Sequence, residues 1–162
     1  MAMNKNTRIV FISSTGGHLS ELLQCAPLFA DCDWHLVTER TKTNARLQEQ
    51  YPADRISFLQ YGTKAHLFRY LFVFAFNILK SWYLFLKWRP EYIITTGTHT
   101  AVPMCKIAHH YGCKIIWIET MANATTPTRA GKMIYPLADL FIVQWESMLE
   151  VYPNAVYGGW IF

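Results

Sequence analysis

Between Gln60 and Pro90 the sequence has no acidic residue, although Lys64, Arg69, Lys80, Lys87 and Arg89 all fall there. The whole chain has 15 Lys and Arg against 11 Asp and Glu, so its net charge of +4 divides into +5 for this segment and −1, ten cations against eleven acids, for the rest. A uniformly basic surface of the kind that binds nucleic acid is therefore missing, and no nucleic-acid partner is expected. Cysteine is also scarce: Cys25, Cys32, Cys105 and Cys113 include no Cys-x-x-Cys pair. Neither a disulfide framework nor a redox motif follows from that spacing. His109 stands four residues from both Cys105 and Cys113, which on a helix share one face, but no further ligand pattern lies nearby. No metal and no cofactor are expected. The polar residues Met1 to Thr7 run straight into Ile9-Val10-Phe11-Ile12, too short an apolar run for a signal-peptide core. A cytoplasmic chain with reduced thiols is the expectation.

What is present is an apolar share of 52% and an aromatic share of 15% over 162 residues, which fits one folded domain, 1–162, and rules out a disordered chain. Short β-branched runs alternate with helical patterns. Strands are expected at Arg8–Ser13, Trp34–Thr38, Arg55–Leu59, Tyr92–Thr95, Lys114–Ile118 and Leu140–Val143. Helices are expected at Leu19–Phe29, Thr43–Gln50, Ala101–Tyr111 and Arg129–Leu137, with a further turn at Ser147–Val151 and another at Tyr157-Gly158-Gly159. Two of the strands are continuous apolar runs, as in strands buried on both faces. Six strands interleaved with helices predict an α/β fold, a single Rossmann-like doubly wound parallel sheet.

The segment 66–88 holds nine of the 25 aromatic residues, all between Phe68 and Trp88. It is not a regular membrane span, because a span needs about 20 apolar residues and Lys80 falls in its middle. On a helical wheel Arg69, Lys80 and Lys87 share a narrow stripe with Asn77 and Ser81 alongside, and Leu71, Phe72, Phe74, Ala75, Ile78, Leu79, Trp82, Phe85 and Leu86 occupy the other arc. A basic stripe beside an aromatic-rich face is the composition of a helix lying in a bilayer interface. Arg69, Phe72, Lys80, Trp82, Phe85, Lys87, Trp88 and Arg89 are the expected membrane contacts. A crossover helix packed on the sheet accounts for the apolar face but not for the missing acids.

In an open α/β sheet ligands bind beyond the carboxyl ends of the strands, and three loops there carry suitable residues. Thr15-Gly16-Gly17-His18 lets the backbone approach an anion closely and supplies an imidazole that can act as a general base. It matches neither a Walker loop nor a G-x-G-x-x-G fingerprint. Thr96-Gly97-Thr98-His99 offers hydroxyls to a sugar or pyrophosphate, or simply a capped turn with Thr98 or Thr100 as the N-cap. Glu119 follows a buried strand directly and is costly there without a polar ligand or a cation, while Arg129 and Lys132 can supply charge for a phosphate.

The set Thr15-Gly16-Gly17-His18-Leu19, Thr96-Gly97-Thr98-His99-Thr100-Ala101-Val102-Pro103, Glu119-Thr120 and Ala138-Asp139-Leu140-Phe141-Ile142-Val143-Gln144-Trp145 resembles the Alg14-type oligosaccharide-biosynthesis family across nearly the whole chain. The resemblance implies the N-terminal, acceptor-side half of a split GT-B glycosyltransferase, with an Alg13-like donor-binding subunit as partner. It implies transfer of a sugar from a UDP-sugar to a polyprenyl-diphosphate-linked saccharide at the cytoplasmic membrane face, in capsule or exopolysaccharide assembly. On that basis His18 and Glu119 are the catalytic candidates, His18 as general base. Thr15, Gly16, Gly17, Thr96, Gly97, Thr98, His99, Arg129 and Lys132 become candidates for acceptor or phosphate binding. Eukaryotic members begin with a membrane-spanning helix and this chain is expected to rely on 66–88 instead. One Rossmann-like domain is half of a GT-B enzyme, so little activity is expected from the chain alone.

Two other readings remain at this point. A non-catalytic scaffold would only bring a soluble transferase to the membrane. An NAD(P)-dependent oxidoreductase would use Glu39, about 20 residues past the glycine turn, for ribose, but Glu21 stands at the third glycine position. The C-terminal aromatics around Tyr157 to Phe162 are the expected partner edge.

Overall fold

The strand β1 (Arg8–Ile12) is buried from Ile9 onward, and its alternating side chains serve two different cores. Val10 and Ile12 join one cluster, Ile9 and Phe11 the other. The structure, a computed structural model, describes residues 5–62 and 67–161, with the side chains of residues 67–70 left undescribed. Around β1 assemble β2 (Asp33–Glu39), β3 (Ile56–Leu59), β4 (Tyr92–Thr95), β5 (Lys114–Ile118), β6 (Leu140–Val143) and β7 (Val156–Tyr157). All pairs are parallel and the order is β3-β2-β1-β4-β5-β6-β7. The helices are α1 (Gly17–Leu23), α2 (Leu47–Gln50), α3 (Leu67–Trp88), α4 (Val102–His110) and α5 (Arg129–Ile134). Residues of α3, α4 and α5 pack with Val10, Val37 and Ile93 on one face, and Leu19 and Leu22 of α1 pack on the other. This is the doubly wound α/β sheet expected from the sequence.

Four local expectations change. The expected helix Leu19–Phe29 divides into α1 and a 3-10 turn, Ala26–Asp31, because Pro27 has no N–H to give to the carbonyl of Leu23. The expected helix Arg129–Leu137 likewise stops at Ile134 and continues as the 3-10 turn Tyr135–Leu137 around Pro136. The stretch Thr43–Gln50 keeps only the single turn α2. A seventh strand stands where a turn was expected, and β7 is too short to show any period in sequence. Its register matches Val156 with Ile142 and Tyr157 with Val143. Gly158 then approaches β6 so closely that a Cβ there would lie 2.7 Å from Ile142 Cγ2.

Helix α3 follows the expected span from Leu67, with His66 outside the described residues. It ends where Arg89 turns to φ 44° and Pro90 cannot continue the ladder. Leu84, Phe85 and Trp88 belong to the core, and the Trp88 ring stacks on His35 at 4.0 Å. Phe85 and Trp88 are thus corrected from membrane contacts to anchors of the helix. Asn77 and Ser81, expected beside the basic stripe, are also turned inward and buried. The Asn77 amide spans the backbone just past β3, donating from Nδ2 to Gln60 O and accepting from Gln60 N, both at 2.9 Å. A buried carboxamide is stable here because the chain leaving a sheet edge offers one donor and one acceptor without partners. The remaining arc is open to solvent: Leu71, Phe72, Phe76, Leu79, Trp82, Tyr83 and Leu86 are all exposed, Phe72 to 78%. Lys87 and Arg89 are exposed as well, Lys80 is half-buried, and Arg69 lies outside the described side chains.

Two substitutions separate these faces. Asn77→Ala leaves the Gln60 backbone pair unsatisfied and is expected to cost about 1–3 kcal/mol of unfolding free energy. Phe72→Ser is expected to change it by less than about 0.5 kcal/mol. Urea titration followed by circular dichroism measures both, and equal effects would contradict the assigned orientation of α3.

Candidate functional site

The chain leaves β1 toward β2 on one side and leaves β4 toward β5 on the other. Since β1 and β4 are neighbours, the loops after them diverge and open a crevice at their carboxyl ends. The two loops are tied by a reciprocal pair. Thr96 Oγ1 donates to the His18 carbonyl at 2.6 Å, and His18 Nδ1 lies 2.8 Å from the Thr96 carbonyl. A carbonyl oxygen only accepts, so Nδ1 carries a proton, and in the neutral ring Nε2 holds the lone pair. Gly97, at φ 93°, is held between His18 and Trp117, and a Cβ on it would lie 3.4 Å from the indole. The resulting cleft has a volume of about 210 Å³. His18, Thr96, Gly97, Thr98 and His99 line one side, and Trp117, Glu119, Thr120, Thr128, Arg129 and Ala130 line the other.

Behind His18 stands a carboxylate that motif reading passes over. Glu21 is only 2% exposed and takes Thr120 Oγ1 and Met121 N, each at 3.1 Å, on Oε1. Its Oε2 has no hydrogen-bond partner and lies 3.8 Å from His18 Nδ1. Spacing i, i+3 on α1 brings the two together, and that spacing is the signal available in sequence. The carboxylate is placed to favour an imidazolium whenever His18 takes a second proton.

Glu119, 1% exposed, has neither Arg129 nor Lys132 as an ion-pair partner. Its charge is met by neutral donors: Trp117 Nε1 reaches Oε2 at 2.7 Å and Thr128 N reaches Oε1 at 2.9 Å. Gln144 Nε2 holds the Glu119 carbonyl at 3.0 Å. Trp117 and Glu119 share a face because strand side chains repeat every two residues. Burial, and then the Glu119 charge, push the Tyr152 hydroxyl well above its ordinary pKa. Thr128 caps α5, its Oγ1 accepting from Gly131 N at 2.9 Å. Expecting a cation beside Glu119 left out this ring of neutral donors.

The other candidates divide. Arg129 lines the cleft, whereas Lys132 is exposed on α5 away from its walls. Gly16 and Gly17 are exposed at the start of α1. Thr15 faces the loop after β2, its Oγ1 being 3.1 Å from Thr41 Oγ1. Neither Thr98 nor Thr100 caps α4, whose N-cap is Ala101. Thr100 instead donates to Glu39 Oε1 at 2.6 Å. That bond and near-complete burial occupy Glu39, removing the carboxylate on which ribose binding by an oxidoreductase depends. Cys105 and Cys113 lie in the core, where burial pushes the Cys113 thiol up to about 12. Among the described residues no three His, Cys, Asp or Glu side chains are grouped to hold a metal.

Gly131 gives the cleft floor a direct test. A Cβ there would lie 2.6 Å from the Tyr152 hydroxyl and 2.8 Å from Thr128 Oγ1, and would also meet the Glu119 carboxylate. Gly131→Ala is expected to lower stability by about 1–3 kcal/mol, as overpacking does in a filled interior. A lower urea midpoint with an unchanged slope is the expected measurement.

Comparison with known proteins agrees with this fold. The family described as "Oligosaccharide biosynthesis protein Alg14 like" matches residues 61–161. The chain is 26% identical to the mouse (Mus musculus) UDP-N-acetylglucosamine transferase subunit ALG14, over 96% of this chain and 83% of that protein. It is 36% identical to the Candida albicans protein of the same name over 52% of this chain and 41% of that one. Among solved structures it is similar to Acinetobacter baumannii MurG, with TM-score 0.71 and 15% identity over 87% of this chain. It is also similar to the Methanocaldococcus jannaschii UDP-GlcNAc 2-epimerase, with TM-score 0.71 and 11% identity over 91%. The chain spans less than half of these two structures, 42% and 43%. The chain belongs to the Alg14-like family of oligosaccharide biosynthesis proteins.

Proposed function

We propose that this protein is the acceptor-binding, membrane-associating subunit of a two-component glycosyltransferase. The reaction is transfer of a sugar from a UDP-sugar to a polyprenyl-diphosphate-linked saccharide, in capsule or exopolysaccharide biosynthesis. The observation that carries the reading is His18 in the cleft, with Nδ1 committed to the Thr96 carbonyl and Nε2 left basic. In the chemistry, an acceptor hydroxyl attacks the anomeric carbon, its proton passes to His18 Nε2, and the bond to UDP breaks. Glu21 Oε2 stabilises the imidazolium that forms, and Glu119 fixes the opposite wall through Trp117 and Thr128. An imidazole in the cleft backed by a buried carboxylate suits proton abstraction better than a scaffold needs.

The names of the relatives support a transferase subunit. The donor half is assigned to a separate Alg13-like chain, a reading supported by the word subunit in the names of the relatives. The proposed attachment is to the cytoplasmic face of the membrane, and the exposed aromatic arc of α3 supports the membrane contact itself, with Phe72, Trp82, Lys87 and Arg89 as contacts. Val156, Tyr157 and Trp160 are exposed beside the edge strand β7, which favours that edge for the partner subunit.

The purified chain alone is expected to have little or no transferase activity, and full activity without a partner would overturn the split-enzyme reading. In the reconstituted pair, His18→Ala should lower kcat by roughly 10²–10⁴ while co-purification is unchanged. Retained turnover would favour the scaffold. Glu21→Gln should lower kcat less than His18→Ala, since it removes the buried carboxylate that faces the imidazole but leaves the base in place. A kcat unchanged by Glu21→Gln would deny Glu21 that role.

A further inference from the structure

A second groove lies apart from the His18 cleft and shares no lining residue with it. It has a volume of about 510 Å³ and runs along the edge strand β3, between the loop after β2 and α3. Arg40 and Lys80 both open onto it, and Gln48, Gln60 and Tyr61 add polar groups, while none of its lining residues is acidic. Among the described residues neither cation has an ion pair. Each lies against a ring instead, Arg40 Cζ at 4.8 Å from the Phe58 centroid and Lys80 Nζ at 5.9 Å from that of Phe76. Partial burial, and then the nearby Arg40 charge, lower the pKa of Lys80. Two like charges that open onto one groove without a carboxylate are relieved by an anion bound there. Phe76 is also half-exposed on the apolar arc of α3, so the groove opens directly beside that arc.

We propose that the Arg40–Lys80 groove seats the phosphate of an anionic lipid headgroup, with the acyl chains lying along the exposed arc of α3. The site rests on the reading of that arc as the bilayer surface and adds to it a residue, Arg40, that lies outside the basic segment. A planar guanidinium and a point ammonium opening onto one groove suit a phosphodiester oxygen pair. Continuity with the arc favours a lipid over a free phosphate.

The full chain is tested on vesicles of pure phosphatidylcholine and of phosphatidylcholine with phosphatidylglycerol, at fixed salt. Arg40→Gln with Lys80→Gln is expected to weaken binding to the phosphatidylglycerol vesicles by more than the roughly 20- to 30-fold that diffuse attraction gives at about fivefold per cation, and to leave binding to pure phosphatidylcholine unchanged. Lys87→Gln with Arg89→Gln makes the same change in net charge outside the groove and is expected to lose less. Equal losses in the two double variants would mean diffuse attraction and overturn the site. Wild-type binding to both vesicles without preference would overturn the site alone, and no binding to either would overturn the membrane reading with it. NMR titration with soluble dihexanoyl-phosphatidylglycerol should move the Arg40 signals saturably at concentrations where inorganic phosphate does not. An equal response to both would make the groove a general phosphate site and refute the lipid assignment.

Discussion

Because β4 pairs with β1 rather than with β3, the chain must return from the outer edge of the sheet to its middle before it can continue. Helix α3 is that return. One constraint of parallel pairing therefore produces both features on which the protein's chemistry depends. It opens the crevice where the loops after β1 and β4 diverge, and it lays a 22-residue helix across one face of the sheet. The helix is wider than its contact. Leu84, Phe85 and Trp88 near its end meet the core, and the arc from Leu71 to Leu86 does not.

The electrostatics of the crevice follow from burial more than from opposite charge. Glu119 and Glu21 are both buried carboxylates, and neither has an Arg or Lys ion-pair partner among the described residues. Hydrogen-bond donors fixed by the fold take the place of cations: an indole and a backbone amide for Glu119, a hydroxyl and a backbone amide for Glu21. Buried charges without such donors would be too costly to keep. The arrangement leaves one Glu21 oxygen near His18, and it leaves Arg129 free of Glu119 at the cleft wall.

Much of the architecture was legible in the residues, and the failures have particular causes. The runs at Ile9–Ile12, Tyr92–Thr95 and Lys114–Ile118 mark buried parallel strands because both faces are covered. The shortened helices are visible afterwards in Pro27 and Pro136. Strand β7 was hidden, because two residues have no period and Gly158 reads as a turn unless its approach to Ile142 is known. On α3 the wheel identified amphipathicity but not orientation. Asn77 counts as a polar-face residue until the free backbone of Gln60 is placed opposite it.

The sequence by itself determined the alternation of strands and helices, the acid-free aromatic segment, and the loops that carry His18, Thr96 and Glu119, since these depend on neighbours within a few positions. Only the tertiary structure decided which of those groups meet. His18 and Thr96 are 78 positions apart, Glu21 and Thr120 are 99 apart, and their contacts exist because the strand order brings distant loop ends to one crevice. The same reason divides the aromatic helix. Its composition is local, but which side faces the core is set by the sheet it must cross.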